Sequence, residues 1–218
     1  MTIAQRLNQI SQQLPSHVRL IAVTKQVSVS QIRAAYESGI RNFAESRLQE
    51  AISKQEQLND LPDICWHFIG HLQANKAQKA ILHFDWIHSV DSIKIVQRLN
   101  RLAAESSLSP KVCLQVKIVS DPNKYGWTEE ELYTYLSELE NCKNLRIKGL
   151  MTILPLGLSK KEMLATFKKV KSLAEKITKQ SNLELKQLSM GMSEDYPLAV
   201  QAGATMIRLG KIIFRERD

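Results

Sequence analysis

Val18-Arg19-Leu20-Ile21-Ala22-Val23-Thr24-Lys25, followed after a short polar break by Val29–Ser38, is the stretch on which the fold turns. Its first half is an aliphatic run of strand length, and its second half carries apolar residues at helical spacing. Parallel neighbours cannot be joined by a tight turn, so a strand that leads straight into a helix reads as half of a parallel crossover. The same pair recurs along the chain. Further strand-like runs fall at Ile40–Phe43, Ile64–Ile69, Trp86–Val90, Val112–Val119, Ile147–Ile153, Glu184–Ser189 and Thr205–Leu209. Helical spacing occupies Glu45–Asn59, Lys76–His83, Ser92–Ser106, Glu129–Asn141, Lys160–Gln180 and Glu194–Ala202, and an extra helix, Ile3–Leu14, precedes the first strand. This alternation predicts an α/β protein, a single-domain (β/α)8 TIM barrel over residues 1–218, in preference to an open doubly wound sheet. No G-x-G-x-x-G follows any strand, and no Pro/Gly/Ser-rich linker divides the chain.

The composition narrows the class. A chain of 218 residues, 44% hydrophobic and 24% charged, can bury a sizeable core and is neither disordered nor repetitive in character. No apolar run approaches the roughly 18 residues of a membrane span. Met1–Leu14 is polar and lacks the apolar centre of a signal peptide. Cys65, Cys113 and Cys142 are too widely spaced for a disulfide framework or a zinc site, so a cytoplasmic protein is expected. Thirty Lys+Arg against 22 Asp+Glu give a net charge of +8, which raises nucleic acid as a partner. The densest basic stretch is Lys160, Lys161, Lys168, Lys169, Lys171, Lys176 and Lys179. Met163, Leu164, Phe167, Val170, Leu173 and Ile177 interleave with it at helical spacing, as on the solvated side of an amphipathic helix, and no nucleic-acid partner is expected.

Barrel chemistry gathers at the C-terminal ends of the strands. Here those ends carry Thr24-Lys25, Glu45, His67 to His71, His88 to Asp91, Met151-Thr152, Ser189 to Asp195 and Arg208 to Gly210. In Ser189–Asp195, Gly191 allows close backbone approach and Ser193 falls where the next helix should be capped, so the loop reads either as an anion cradle or as a plain capped turn. Gly210 lies in the following loop, the other half of the usual phosphate site of such barrels. Lys25, at the end of an apolar strand, is a candidate nucleophile toward carbonyl carbon, or else a surface lysine with a buried stem. An amine beside a phosphate cradle suits a phosphorylated aldehyde, of which pyridoxal 5'-phosphate (PLP) is the commonest cofactor. Arg208 is then a candidate for its pyridine nitrogen, or an interior arginine in an ion pair. His67 and His71 are four apart but flank a strand end, and read as structural; Cys65 reads as core. Trp66, Trp86, Tyr36 and Phe43 are packing residues or stacking walls.

Together these stretches resemble the PLP homeostasis protein family along essentially the whole chain. The resemblance is carried by Ala22-Val23-Thr24-Lys25, Asn42-Phe43-Ala44-Glu45-Ser46, Trp66 to Gln73 with Asn75-Lys76, Lys148 to Thr152, Leu188 to Ser193, and Arg208-Leu209-Gly210. It implies a barrel like the N-terminal domain of alanine racemase, with PLP bound through a Schiff base. By position, Lys25 matches the Schiff-base lysine; Ser189, Gly191, Met192, Ser193 and Gly210 the phosphate site; Arg208 the residue near the pyridine nitrogen; Asn42 and Met151 residues lining the cofactor. It also implies a non-enzymatic role in intracellular balance of vitamin B6 and of amino and keto acids. A monomer is expected, without membrane partners, and with PLP-dependent apoenzymes or a regulatory protein as candidate partners. Ala44, Ser46 and Arg47 depart from the family's Phe-Gly-Glu-Asn-Tyr, and Lys211, Ile212 and Arg215 from the usual small or polar residues. The sequence stops at Asp218, soon after the eighth strand, which reads as a barrel without the second domain that gives racemases a second base. The alternative is a PLP-dependent racemase- or decarboxylase-like enzyme resting on the same Lys25.

Overall fold

A computed structural model describes residues 1–119, 121 and 124–214. Eight parallel strands close in sequence order, with β1 pairing both β2 and β8. They are β1 Arg19–Val23, β2 Asn42–Glu45, β3 Cys65–Phe68, β4 Trp86–Val90, β5 Lys111–Gln115, β6 Arg146–Met151, β7 Gln187–Ser189 and β8 Met206–Leu209. Helix α1 (Ile3–Gln13) precedes them, and α2 (Val29–Glu37), α3 (Leu48–Gln57), α4 (Ala77–His83) and α5 (Ile93–Glu105) follow the first four strands. After β5 come α6 (Glu129–Thr134) and α7 (Leu136–Asn141), then α8 (Lys160–Gln180), α9 (Tyr196–Gln201) and α10 (Lys211–Phe214). Among the described residues no helix is long and apolar enough to cross a membrane.

Alternation along the strands sorts side chains into two apolar layers. Phe43, Phe68, Val112, Leu150 and Ile207 point outward against the helices. Ile21, Val23, Ala44, Trp86, Cys113, Met151 and Met206 fill the barrel lumen. Helix starts are written into the sequence: Thr2 with Gln5, Ser28 with Gln31, Thr128 with Glu131 and Ser159 with Glu162 each form a capping box, satisfying backbone N–H groups at both positions. Helix α8 buries Phe167, Val170, Leu173 and Ile177 and leaves its lysines in water, as the spacing predicted.

Several elements differ from the expectation. Strand β5 stops at Gln115 and not Val119, because Lys117 N–H turns to the carbonyl of Trp127 at 2.9 Å. The helix expected over Glu129–Asn141 breaks at Tyr135, whose ring packs edge-on against Trp127. Glu45 belongs to β2, not α3, since its carbonyl takes the Ile69 N–H at 2.9 Å. Helix α10 lies beyond the helical runs read from the spacing; it buries Ile213 and Phe214 and is tied to α1 by Arg6 Nε donating to the Ile213 carbonyl at 2.6 Å. Arg215 lies outside the described residues.

Candidate functional site

A cleft of about 450 Å³ opens at the C-terminal ends of the strands. Its wall takes Lys25 after β1, Ser46 after β2, Ile69 after β3, the 153–157 loop after β6, Met192 to Asp195 after β7, and Arg208, Gly210 and Lys211. Four of the expected cofactor residues besides Lys25 (Met192, Ser193, Arg208 and Gly210) therefore share one wall.

Lys25 is exposed, and among the described residues its amine has no hydrogen-bond or ion-pair partner. Its backbone, by contrast, is held from below. Thr24 Oγ1 donates to Glu45 Oε1 at 2.7 Å, and Lys54 Nζ donates to the Thr24 carbonyl at 2.6 Å. Lys54 also pairs with Glu45 at 2.7 Å and with Glu50 at 2.6 Å, while Glu50 takes the N–H of Gln26, which sits at φ +59°. Burial pushes the Glu45 carboxyl above its ordinary range, against the pull of Lys54 and Thr24. Burial acts on Glu50 in the same direction, but hydrogen bonds from Lys54 and the Gln26 amide outweigh it and hold Glu50 low. A free amine on a fixed backbone is what a carbonyl-capturing lysine requires.

Strand β7 ends at Ser189, and the chain then turns at Gly191 with φ +98°, in left-handed space. A Cβ there would stand 2.7 Å from the Ala199 Cβ and 3.0 Å from the Tyr196 Cα. Gly191→Ala is therefore expected to lower stability by about 1–3 kcal/mol, read as a fall in Tm, and to weaken anion binding at the loop. Ser193 is not the helix cap. Asp195 is, and its Oδ1 takes the Met192 N–H at 2.5 Å, because α9 starts two residues later than the spacing suggested. The Met192 amide is thus already committed. Among the described residues, no acceptor takes up the N–H groups of Ser193, Glu194 or Gly210. Ser193, Glu194, Gly210 and Lys211 all line the cleft, and their amides, hydroxyl and amine make a donor set suited to a phosphate. Burial raises the Asp195 carboxyl, opposed by the Met192 N–H and by the Arg208 charge.

Arg208 is buried, and its partners are oxygens of neutral groups. Nη1 donates to the Ser189 carbonyl at 2.6 Å and to Ser189 Oγ at 2.8 Å, and Nη2 donates to the Thr152 carbonyl at 2.9 Å. Among the described residues it has no ion-pair partner, so of its two sequence readings the arginine beside a ligand is the one the geometry favours. Desolvation draws its pKa down to about 10. Nε and the second Nη2 hydrogen have no protein acceptor among the described residues, and the residue lines the cleft. An uncharged ring nitrogen is a fitting acceptor for such a donor. Phosphate donors, a free amine and an arginine N–H in one cleft therefore fit PLP as a group.

Not every expected residue reaches the cleft wall. Met151 is wholly buried in the lumen at the end of β6, and Ser189 and Gly191 lie behind the wall. Asn42 begins β2, four residues below Ser46, or about 13 Å down the strand, and bonds His67. His67 and His71 do not converge: His67 meets Asn42 and His88 inside the barrel, while His71 pairs with Asp91 at 3.0 Å and stacks on Tyr125. Ile69, Met163 and the 153–157 loop were missed as wall residues, although Pro155 and Gly157 just after β6 mark that loop in the sequence. Ser46 and Lys211, noted only as departures from a pattern, prove to line the cleft.

A closed eight-stranded barrel with a lysine after β1 and a glycine–serine loop after β7 defines a protein of the alanine racemase N-terminal domain class, and the model of that family matches residues 1–218. An alanine racemase of Clostridium difficile 630 superposes with TM-score 0.78 at 16% identity, over 97% of this chain and 56% of that one, a likeness of fold. Within the class the chain belongs to the pyridoxal phosphate homeostasis protein family. A family member from Synechocystis sp. strain PCC 6803 is 56% identical over 204 residues, covering 94% of each chain. One from Escherichia coli K12 is 33% identical over 208 residues, 94% of this chain and 88% of that one. The structure of PipY of Synechococcus elongatus PCC7942 with PLP bound has a TM-score of 0.95 at 50% identity, covering 98% of this chain and all of that one.

Proposed function

We propose that this chain binds PLP in the cleft and serves its intracellular homeostasis without turning over a substrate. The observation that carries the reading is the free Lys25 amine sharing a cleft with unpaired Ser193, Glu194 and Gly210 amides and a buried Arg208. Lys25 would hold the aldehyde carbon; Ser193, Gly210 and the neighbouring amides the phosphate; Arg208 the ring nitrogen. Met192 lines the wall beside them; Ser189, Gly191 and Met151 support these from behind, and Asn42 lies too deep to touch the ring directly. PLP supplies an electron sink when bound, and an arginine facing its ring nitrogen weakens that sink by leaving the nitrogen unprotonated.

Besides Lys25 and Arg208, the titratable groups of the wall are Glu194, Asp195 and Lys211, and Asp195 is already engaged by the Met192 N–H, which favours binding over proton transfer. Relatives named as homeostasis proteins point the same way. The three cysteines as free thiols suit a reducing cytoplasm. We read residues 1–218 as one domain acting as a monomer, with PLP-dependent apoenzymes or a regulatory protein as partners. Titration with PLP should give a visible absorption band, and borohydride reduction followed by peptide mapping should place the label on Lys25. A label elsewhere overturns the site. Incubating the loaded protein with a panel of amino acids should give no catalytic turnover; racemisation or decarboxylation of any of them would establish the enzyme reading instead.

A further inference from the structure

Below the cleft, a line of polar side chains crosses the barrel lumen from β8 to β2. Arg208 Nη1 donates to Ser189 Oγ at 2.8 Å, and Ser189 Oγ lies 2.8 Å from His88 Nδ1. His88 Nε2 lies 2.8 Å from His67 Nδ1, and His67 Nε2 lies 3.1 Å from Asn42 Oδ1. Both imidazoles, Ser189 and Arg208 are buried.

The two ends fix the proton on every bond between them. A guanidinium only donates and an amide oxygen only accepts. Asn42 Oδ1 therefore receives the proton of His67 Nε2, and a neutral His67 presents a bare Nδ1. His88 donates to it from Nε2 and is itself bare at Nδ1, where it accepts the Ser189 hydroxyl proton. With its proton so committed, Ser189 Oγ turns a lone pair to Arg208. Neutrality follows from the surroundings. Burial pulls His67 down to about 3, and the charges of Arg19 and Lys111 add to this. Burial likewise holds His88 well below the ordinary range, reinforced by His67, Arg208 and Arg19. Reversing the chain would leave Ser189 Oγ receiving two donors with no partner for its own proton.

We propose that Ser189, His88, His67 and Asn42 form a one-way hydrogen-bonded chain that locks Arg208 in the orientation presenting its free N–H groups to the cleft, with His88 as the positioning residue. Both hydrogens of Nη1 are taken on the Ser189 side and one of Nη2 by Thr152, so the planar guanidinium keeps only Nε and one Nη2 hydrogen for a ligand. The chain itself is independent of any ligand; its effect on PLP rests on the cleft reading above.

The first measurement uses the unaltered protein without added PLP. Nitrogen-15 NMR of the imidazoles should find His67 and His88 protonated at Nε2 alone, unchanged from about pH 8 to about pH 5. An Nδ1–H tautomer or an imidazolium in that range overturns the chain. The second compares His88→Leu, which removes the acceptor for Ser189, with His88→Asn, which keeps one near the Nδ1 position. The leucine variant should bind PLP about tenfold more weakly and shift its visible band, while the asparagine variant stays within about threefold of the parent. A folded His88→Leu protein with parental affinity and spectrum overturns the positioning role. Should that variant not fold, the NMR measurement decides alone. Failure of the cofactor reading looks different, because a borohydride label away from Lys25 leaves both tautomers untouched.

Discussion

Lys25→Ala should abolish the visible band of the PLP-loaded protein and weaken PLP retention by about a hundredfold or more, since a covalent hold is replaced by hydrogen bonds alone. The fold should survive the change. Lys25 is exposed, takes part in none of the hydrogen bonds that hold its strand, and follows Thr24, whose carbonyl and hydroxyl are bound by Lys54 and Glu45. Tm should therefore move little while the spectrum is lost. Absorbance before and after borohydride, beside a thermal melt, checks both halves. A retained band of parental affinity would remove Lys25 from the site. Phosphate donors should still bind inorganic phosphate in the variant, because Ser193, Glu194 and Gly210 lie on other elements.

Lys54→Met should be the most damaging substitution for stability. Lys54 is the cation that three oxygens share, on Thr24, Glu45 and Glu50, and Glu45 Oε2 already has no partner among the described residues. Removing the ammonium strands a buried carboxylate, at a cost of about 3–5 kcal/mol or a Tm fall of roughly 6–20 °C. The sign of the pH dependence follows from Glu45, whose folded pKa is raised by burial. A raised carboxyl contributes stability that is full below its unfolded value, about 4.3, and is lost as pH rises through the folded value. Without Lys54 that value rises further, so the deficit should be largest near pH 8 and shrink toward pH 5. Melts of the parent and variant at both pH values check it. A deficit independent of pH would mean that lost packing of the lysine stem, and not the stranded charge, sets the cost. Glu45→Gln added to Lys54→Met should recover part of the loss.

The barrel was legible because its signals are local. Capping residues such as Ser28 and Ser159, strand-length apolar runs and the helical period of Phe167, Val170, Leu173 and Ile177 each act within a turn or a strand. The boundaries that failed were those set by distant partners, such as the Trp127 carbonyl that ends β5. The cleft was half legible. Lys25, Gly191 and Gly210 stand at strand ends where position alone suggests chemistry, and Gly191 is further marked by the backbone it must adopt. Ser193 was misassigned as a cap because Ser and Asp are both good caps, and only the position of Pro197 near the start of α9 and the Met192–Asp195 hydrogen bond decide between them.

Sequence alone determined the alternation of strands and helices, the closed barrel, and which residue types stand at its mouth, because these depend on periodicity and on short-range capping. Tertiary structure decided which residues meet. Lys54 and Glu45 join beneath Lys25 from β2 and α3, and the line from Arg208 to Asn42 gathers residues from β8, β7, β4, β3 and β2. Separations such as the 101 positions between His88 and Ser189 leave no periodic trace. Those pairings exist because closing the barrel places alternate side chains of different strands in one water-poor lumen, where each polar group has to find a partner.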